Sequence, residues 1–553
     1  MQPLPVRECE MHLDCGTHAV TTVTLANPRL ADTKQGVLQL VERAVKSIGL
    51  RLASAVLATL VSYSPALAGT TIITHGFTLA SPDPPNWTLT LGRAILAADG
   101  DPSDCGALGG QTPRGSLFVY EPFTGAWELA CGSTTPIGEI VLVYNWSQES
   151  DGLNIGGTQG FAEAAADALY AALRDPQFPA AFSSVDPLAD PVHFIGHSRG
   201  TVVNSDCVER LAAAGIAVDQ VTTLDPHPVD GTLDFPLNLA DWLDRAPVTW
   251  DNIAFSDNYW RADGGGAAAA DFDGMSLPTD VDLDIEGGID GLFDIDPPFE
   301  HTEVHAWYHG TIDLTANDDG DGTPIDNDLF SNWWGNSGIP GRAATGFNHS
   351  AIVGGLRPGP VAGSASSWSP LSIYNGDFET VNSEVENLGI GYAGWYYHGG
   401  SMPVPAVPWS SLSPPANSNF YLTLFGDGVR RTATHNRLYV DGGAGFLEFE
   451  RRVSFPSAND RLVITLVDSA GSQTVVDAAV TSSTAWETVA FPIPIAGIGQ
   501  TRALKLEIDG GGDGVESIVD IDGLRFIPEP GHLALLSAGV LWLGTFGRGR
   551  ARR

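Results

Sequence analysis

Residues 196–200 read G-H-S-R-G, which places one serine two positions from a glycine on either side. The motif follows the apolar run V-H-F-I at 192–195 and precedes a helix-like segment at 202–214. A serine on a tight turn between a strand and a helix is lifted above the sheet, and the flanking glycines allow strand and helix to approach closely. The motif alone is common by chance. Its place between a strand and a helix makes Ser198 the candidate nucleophile.

A serine hydroxyl is a poor nucleophile at neutral pH, so it needs a histidine base oriented by a carboxylate. Asp225 directly follows the strand-like run V-T-T-L and is the predicted acid, with Asp257, at the end of the next strand-like run, as the alternative. The predicted base is His301 or His305, because an acidic loop leads there into a helix-like segment, and the position favours His301. His309, one helical turn further, is interpreted as a surface residue.

The oxyanion that forms when a serine attacks a carbonyl needs preorganised amide donors. The backbone N–H of Arg199, next to the nucleophile, is one predicted donor. The second is the N–H of Phe77, in the loop 75–77 after the strand-like run 70–74. Gly76 in that loop permits a close approach of the backbone. Together, the serine, the acid, the base and the two amide donors predict one acyl-transfer site.

Strand-like and helix-like segments alternate from residue 70 onward, which is typical of a parallel sheet covered by helices. The strand-like segments are 70–74, 140–144, 192–195 and 221–224, and the helix-like segments are 161–173 and 202–214. With the serine motif, the His-Gly loop and the order serine, acid, histidine, residues 70 to about 310 resemble the lipase and esterase branch of the α/β-hydrolase family. This resemblance implies an α/β-hydrolase fold with a mostly parallel sheet, an ester substrate for which a lipid is one option, and no cofactor in the chemistry. The acidic insert at 271–300 departs from the family pattern. It is interpreted as a lid, as a substrate-facing loop or as a solvent-exposed loop.

A second pattern concerns calcium. The run N-D-D-G-D-G-T-P-I-D-N-D at 317–328 has oxygen-bearing residues at loop positions one, three, five and twelve, and glycine at six. It resembles the EF-hand-like loop of dockerin modules, which wraps Ca²⁺ in side-chain oxygens and one backbone carbonyl. The resemblance implies a structural Ca²⁺ site, and the alternative is a polar surface loop. The implied ligands are Asn317, Asp319, Asp321, Thr323 through its carbonyl, and Asp328.

The pattern changes after the Gly, Pro and Ser-rich stretch 357–370 to short alternating runs typical of antiparallel strands. The segments N-G-D-F-E at 375–379 and V-D-I-D-G-L at 519–524 resemble jelly-roll modules of the galactose-binding and carbohydrate-binding type. We therefore expect a β-sandwich over 371–526. Its aromatic side chains predict either a stacking platform for a glycan or matrix, or core packing. They are Trp395, Tyr396, Tyr397 and Trp409.

Both ends of the chain have the pattern of processing signals. Basic residues flank the apolar run at 52–61, and the small-residue triplet 66–68 follows, which is the order of a secretory signal, with a buried helix as the alternative. At 527–531 the run I-P-E-P-G precedes an apolar segment and four arginines. This resembles the PEP-CTERM sorting signal of Gram-negative bacteria, with a simple membrane anchor as the alternative. The resemblance implies exosortase processing and export to the periplasm, cell surface or medium, with transient membrane tethering.

Composition sets the limits of these hypotheses. The chain has 553 residues, more than one compact core usually holds, and its net charge of −38 argues against nucleic-acid binding. We expect an N-terminal extension and signal peptide at 1–68, a catalytic domain at 69–360, the sandwich at 371–526 and the sorting tail at 527–553. Cys105 and Cys131 lie in loop-like sequence and could pair in an oxidising compartment, whereas Cys207 is predicted to be core.

Three functional hypotheses follow. The favoured one is an exported serine hydrolase that cleaves carboxylic esters through a Ser-His-Asp triad and an acyl-enzyme. The second is a peptidase or polyester depolymerase with the same triad, which sequence does not distinguish from an esterase. The third, from a different class, is a non-catalytic surface or matrix-binding protein.

Overall fold

The computed structural model describes residues 69–529 apart from several internal stretches. Those stretches are 79–80, 82, 101–112, 123, 151–159, 190, 228–243, 262–273, 286–296, 321, 326–332, 336–337, 356, 379–394, 399–402, 406–421, 426–431, 455–458, 469–470, 480–482 and 510–516. The predicted signal peptide and nearly all of the predicted sorting tail lie outside the described residues. Among the helices that the structure describes, none is long and apolar enough to cross a membrane.

The first sheet is mixed and has eight strands. They are β1 (Thr70–Thr74), β2 (Ser116–Glu121), β3 (Ala126–Gly132), β4 (Ile140–Tyr144), β5 (Val192–His197), β6 (Val218–Leu224), β7 (Ile253–Trp260) and β8 (Val281–Asp284). Their order across the sheet is β3-β2-β4-β1-β5-β6-β7-β8. The edge pair β2–β3 is antiparallel, and the other neighbours are parallel.

Helices cover both faces of this sheet. The described helices are α1 (Asn86–Ala98), α2 (Ser147–Ser150), α3 (Phe161–Arg174), α4 (Gly200–Ala213) and α5 (Pro297–Ile312). Successive side chains of a strand point to opposite faces, so Ile72 packs in one core with α3 and α4, and Ile73 packs in the other with α1 and α5. Parallel strands covered on both faces are apolar throughout, as in the run I-V-L-V-Y of β4.

The remaining strands form two antiparallel sheets with one shared core. They are β9 (Trp395–His398), β10 (Pro403–Pro405), β11 (Leu422–Phe425), β12 (Thr432–Val440), β13 (Phe446–Ser454), β14 (Arg461–Asp468), β15 (Gly471–Ala479), β16 (Ser483–Pro492), β17 (Gln500–Asp509) and β18 (Ile518–Ile527). The six-stranded sheet has the order β10-β9-β12-β17-β14-β15, and the four-stranded sheet has the order β11-β18-β13-β16. Leu504 of the six-stranded sheet and Phe449 of the four-stranded sheet belong to the same buried cluster, which makes these two sheets a sandwich.

The predicted fold class, an α/β-hydrolase fold with a mostly parallel sheet, is wrong for this chain. Most of the described residues in regular secondary structure lie in strands, which form one large mixed sheet and two antiparallel sheets, and only four described helices are longer than ten residues. The prediction rests on four strand segments and two helix segments, a small share of these elements. A local apolar pattern identifies a strand, but long-range pairing decides the strand's direction and partners.

Two cysteines lie within the described part of the chain. Cys131, in β3, is disulfide-bonded. Cys207 is a free, buried thiol in α4, as predicted, and burial raises its pKa above the usual range. Cys105, the predicted partner of Cys131, lies outside the described residues.

Candidate functional site

Ser198 lies on the turn between β5 and α4 with a φ of 56°. The left-handed region is uncommon for a residue with a side chain, and such strain is often found at functional turns. The Ser198 amide donates to the carbonyl of Leu224 at 2.9 Å, and its carbonyl accepts from the Thr201 amide at 3.0 Å. The end of β6 and the first turn of α4 therefore hold the serine in this conformation.

Glycines allow three backbone segments to meet at this turn. A Cβ on Gly200 would lie 2.5 Å from the carbonyl oxygen of Thr74, at the end of β1. A Cβ on Gly196 would lie 2.8 Å from Nδ2 of Asn204, in α4. A Cβ on Gly76 would lie 2.6 Å from the Cβ of Ser198. Side chains at these positions would separate the nucleophile from the 75–77 loop.

Asp225 and His301 are hydrogen-bonded to each other in the structure. Nδ1 of His301 is 2.5 Å from Oδ2 of Asp225, and the carboxylate is fully buried. Asp225 follows β6 with a φ of 46°, and its Oδ1 accepts from the Arg261 amide at 3.1 Å. A Cβ on Gly274 would collide with the same oxygen. The predicted acid therefore orients the favoured base from a closed pocket.

Burial controls the charge of this pair. It raises the pKa of Asp225 to about 7, although the Arg261 guanidinium and amide oppose the rise. It also lowers the pKa of His301 well below the usual 6.5, and electrostatic interactions with His227 and Arg261 lower it further. The imidazole is therefore neutral near pH 7, which is the form that accepts a proton.

His197, which sequence reasoning treated only as a variable position of the serine motif, contacts the base directly. Its Nε2 donates to the carbonyl of His301 at 2.9 Å, and the two rings lie 4.6 Å apart. Burial lowers the pKa of His197 well below its usual value. The residue before the nucleophile therefore positions the start of the segment that holds the base. The sequence feature that could have identified this contact is the histidine directly before Ser198 in the serine motif.

The alternative catalytic residues lie in other arrangements. His305 is 3.0 Å from Oδ2 of Asp319 and stacks on Trp87 at a centroid distance of 4.4 Å. His309, predicted on the surface, is buried. Asp257 accepts hydrogen bonds from the Thr222 hydroxyl at 2.6 Å and from other buried donors. None of the three is bonded to Asp225 or His301 as those two are to each other.

The two predicted oxyanion donors lie beside the nucleophile turn. Arg199 follows Ser198, and Phe77 follows Gly76, the residue that closely approaches the serine. The indole of Trp146 donates to the carbonyl of His75 at 2.7 Å and ties this loop to the end of β4. The backbone of the 75–77 loop therefore lies close to the nucleophile turn, and the two oxyanion donors stay a prediction.

In the described part of the predicted calcium loop, three of the five predicted ligand residues have partners within the protein, and the calcium site stays a prediction. Asp319 is fully buried against His305, and its Oδ1 accepts from the Thr323 amide at 3.1 Å. The Thr323 carbonyl accepts from the Asp319 amide at 3.1 Å, and the backbone of Asn317 pairs with Ile325. The remaining predicted ligands, Asp321 and Asp328, lie outside the described residues. The carboxylate at loop position three therefore faces the protein interior.

Of the four aromatic residues predicted to form a stacking platform or to pack in the core, only Trp395 has a side chain that the structure describes. Trp395 is fully buried, packs on Phe378 at 5.1 Å, and donates its indole N–H to the carbonyl of Asn375 at 3.0 Å. It is a core residue of the sandwich. Trp409 lies outside the described residues, as do the side chains of Tyr396 and Tyr397.

No protein-family model and no curated protein matches the chain. Solved structures similar to part of it include TmCBM61 in complex with β-1,4-galactotriose, at 14% identity over 29% of this chain and 99% of that one, with a TM-score of 0.21. The K1 cleaved adhesin domain of Lys-gingipain from Porphyromonas gingivalis is 12% identical over 25% of this chain and 92% of the domain, with a TM-score of 0.19. A family 6 carbohydrate-binding module is 18% identical over 21% of this chain and 80% of the module, with a TM-score of 0.16. All three are carbohydrate-binding or adhesin domains.

Proposed function

We propose that the chain is a serine hydrolase that cleaves carboxylic esters, with Ser198 as nucleophile, His301 as general base and Asp225 as the carboxylate that orients it. The observation that carries the proposal is the buried hydrogen bond between His301 and Asp225. His301 also accepts a hydrogen bond from His197, which directly precedes Ser198 on its positive-φ turn. A nucleophile, an oriented base and adjacent amide donors are the parts that acyl transfer needs.

In the first step, Oγ of Ser198 bonds to the ester carbonyl carbon while its proton passes to Nε2 of His301. The carbonyl electron pair moves onto oxygen, and the amides of Phe77 and Arg199 stabilise the resulting oxyanion. When the intermediate collapses, the carbon–oxygen bond to the alcohol breaks. The alkoxide takes the proton from His301 and leaves an acyl-serine.

In the second step, water attacks the acyl-serine and gives its proton to His301. The tetrahedral intermediate collapses, the serine oxygen regains a proton from His301, and the carboxylic acid leaves. Asp225 stays hydrogen-bonded to Nδ1 throughout, which leaves Nε2 as the nitrogen that accepts the proton. The chemistry as proposed uses only side chains and amides of this chain.

Export is part of the proposal. The signal-like and sorting-like segments predict it, and the disulfide at Cys131 supports it, because structural disulfides form and persist in oxidising compartments. In this setting, the substrate is an extracellular or periplasmic ester, and exosortase is the processing partner.

The test is hydrolysis of p-nitrophenyl esters of increasing acyl length by the full chain, with Ser198→Ala as the control. We expect turnover by the wild type and loss of at least about 10³-fold in the variant, since no second nucleophile replaces the serine. A fluorophosphonate probe should label the wild type at Ser198. A peptide panel and a polyester film distinguish the peptidase and depolymerase alternatives. A wild type that neither turns over any substrate nor reacts with the probe contradicts the proposal.

The second candidate function is glycan or matrix binding by the sandwich. The observation in its favour is a half-buried indole at Trp486 in β16, whose ring lies 5.0 Å from the Arg452 guanidinium. Aromatic rings of this kind stack on sugars. Galactotriose and cellotetraose serve as probes in calorimetry, with Trp486→Ala as the matched variant. Heat of binding that the variant loses supports this function, and no heat with either sugar contradicts it for these two glycans.

A further inference from the structure

The side chain of Arg199, the residue after the proposed nucleophile, is directed into the protein interior. It is almost completely buried, and its Nε and Nη2 atoms donate to the two carboxylate oxygens of Asp244 at 2.5 and 2.8 Å. Its guanidinium also lies 5.7 Å from the ring of Trp146, which holds the 75–77 loop. A bidentate Arg–carboxylate pair fixes the orientation of the guanidinium as well as its position. The residue that carries a proposed oxyanion amide is thus locked by its own side chain.

Asp244 is itself held by the start of helix α3. The backbone amide of Gly160, the residue before α3, hydrogen-bonds to the Asp244 carboxylate. The next residue, Arg245, donates its amide to Glu163 at 3.0 Å and its guanidinium to Glu209 at 2.7 Å. The carboxylate therefore belongs to a buried polar network that ties the serine turn to α3.

The segment that enters the sandwich also forms a hydrogen bond with Gly160. The hydroxyl of Tyr374, in the segment that enters the sandwich, donates to the carbonyl of Gly160 at 2.9 Å. Further along α3, the amide of Thr501 in β17 donates to Asp175 at 2.9 Å, and the Thr501 hydroxyl donates to the carbonyl of Ala171 at 2.5 Å. A continuous chain of hydrogen bonds thus runs from Tyr374 through Gly160 and Asp244 to Arg199.

We propose that Asp244 is a positioning residue for the acyl-transfer site, and that Tyr374 couples the docked sandwich to it through Gly160. The proposal rests on the proposed serine-hydrolase function for its catalytic consequence. Asp244 fixes the guanidinium of Arg199 and through it the amide beside Ser198. Because an oxyanion donor acts only when it is preorganised, loosening this pair lowers the rate of acylation and not the binding of substrate.

The experiment compares Asp244→Asn and Tyr374→Phe with Asp219→Asn in the full chain. Asp219 makes the same kind of two-pronged pair with Arg357, at 2.7 and 2.9 Å, away from Ser198. We expect Asp244→Asn to lower kcat and the rate of fluorophosphonate labelling by about 10 to 100-fold with KM changed less than about threefold. Tyr374→Phe should lower both rates by about two to fivefold, and Asp219→Asn should change them less than about twofold.

Hydrogen exchange of the peptide that spans 196–205 gives a readout independent of turnover. Faster exchange there in Asp244→Asn and Tyr374→Phe, but not in Asp219→Asn, supports the coupling. Unchanged exchange and unchanged labelling in Asp244→Asn overturn it. If the wild type is inert toward esters and the probe, the proposed function fails, while the exchange rates still decide whether the coupling exists.

Discussion

At the residue scale, the sequence predicted Ser198 as the nucleophile and favoured Asp225 and His301 as its partners, because each belongs to a recognisable local context. Ser198 and Asp225 directly follow buried strands, and His301 lies in the second turn of helix α5. The sequence did not identify His197 or Asp244 as their supports. Those two act through contacts with residues roughly 45 to 100 positions away, which no local pattern records.

Asparagine substitutions distinguish the two candidate acids. Asp225→Asn should lower kcat by about 10⁴-fold, because an amide holds the wrong tautomer of His301. Asp257→Asn is the matched control, since this buried aspartate bonds to Thr222 and Tyr259. It should lower thermal stability and leave kcat within about tenfold of the wild type. The reverse ranking of the two kcat values in an ester assay would assign the acid to Asp257.

The pH profile tests the electrostatics of the base. A general base works when deprotonated, so kcat/KM falls as the pH drops through the pKa of the free enzyme's histidine. Because burial lowers the pKa of His301, the acidic limb should have its midpoint well below 6.5. The measurement is kcat/KM from pH 4 to 8 with a substrate whose own ionisation is constant. A midpoint at or above 6.5 would contradict the neutral, buried base.

At the element scale, β1 and β4 were correctly predicted to the residue, as continuous apolar runs, and α3 and α4 within about two residues. The antiparallel hairpin β2–β3 and the strand order required long-range pairing to be known. The polar link between β1 and β4 is of that kind: Glu139 accepts from the Thr71 hydroxyl at 2.7 Å and from the Gly69 amide at 3.1 Å.

Glu139 makes the stability of this sheet dependent on pH. Burial, with the nearby charge of Asp99, raises its pKa from 4.5 to about 8. Between these values the folded chain keeps a proton that the unfolded chain has released, so this group's contribution to stability decreases as the pH rises. Glu139→Gln, which stays neutral, should raise Tm relative to wild type by about 2 to 5 °C at pH 8 and by much less at pH 4.

Thermal melts of Glu139→Gln and of the exposed control Glu128→Gln at both pH values test this. The control should differ from wild type by less than about 1 °C throughout. A Tm difference for Glu139→Gln that does not grow between pH 4 and pH 8 would show that the carboxyl is ionised in the folded chain.

At the scale of the whole molecule, α3 links the first sheet to the sandwich. Every residue from Phe161 to Leu173 is buried, and the helix contacts α4 on one side and β12 and β17 on the other. Seven of its fourteen residues are alanine, which lets neighbours on both sides approach closely. The described parts of both regions consequently belong to one compact unit.

We therefore expect the mixed sheet and the sandwich to unfold in one transition. The guanidinium of Arg174 lies 4.4 Å from the ring of Tyr439 in the sandwich, and Arg174→Ala should lower the common Tm by about 2 to 4 °C. Arg461→Ala, which breaks an exposed pair with Asp477, should change it by less than about 1 °C. Two separate calorimetric peaks, or a shift confined to one of them, would contradict coupled unfolding.

The sequence by itself determined that Ser198 and Asp225 directly follow strands, because tight turns and strand ends follow from local residue types. It did not decide between His301 and His305, since both lie on one helical stretch a single turn apart. Only the tertiary structure separated them, by placing Asp225 against the first and Asp319 against the second. It also decided the mixed and antiparallel sheets, because strand direction and pairing depend on contacts between distant segments.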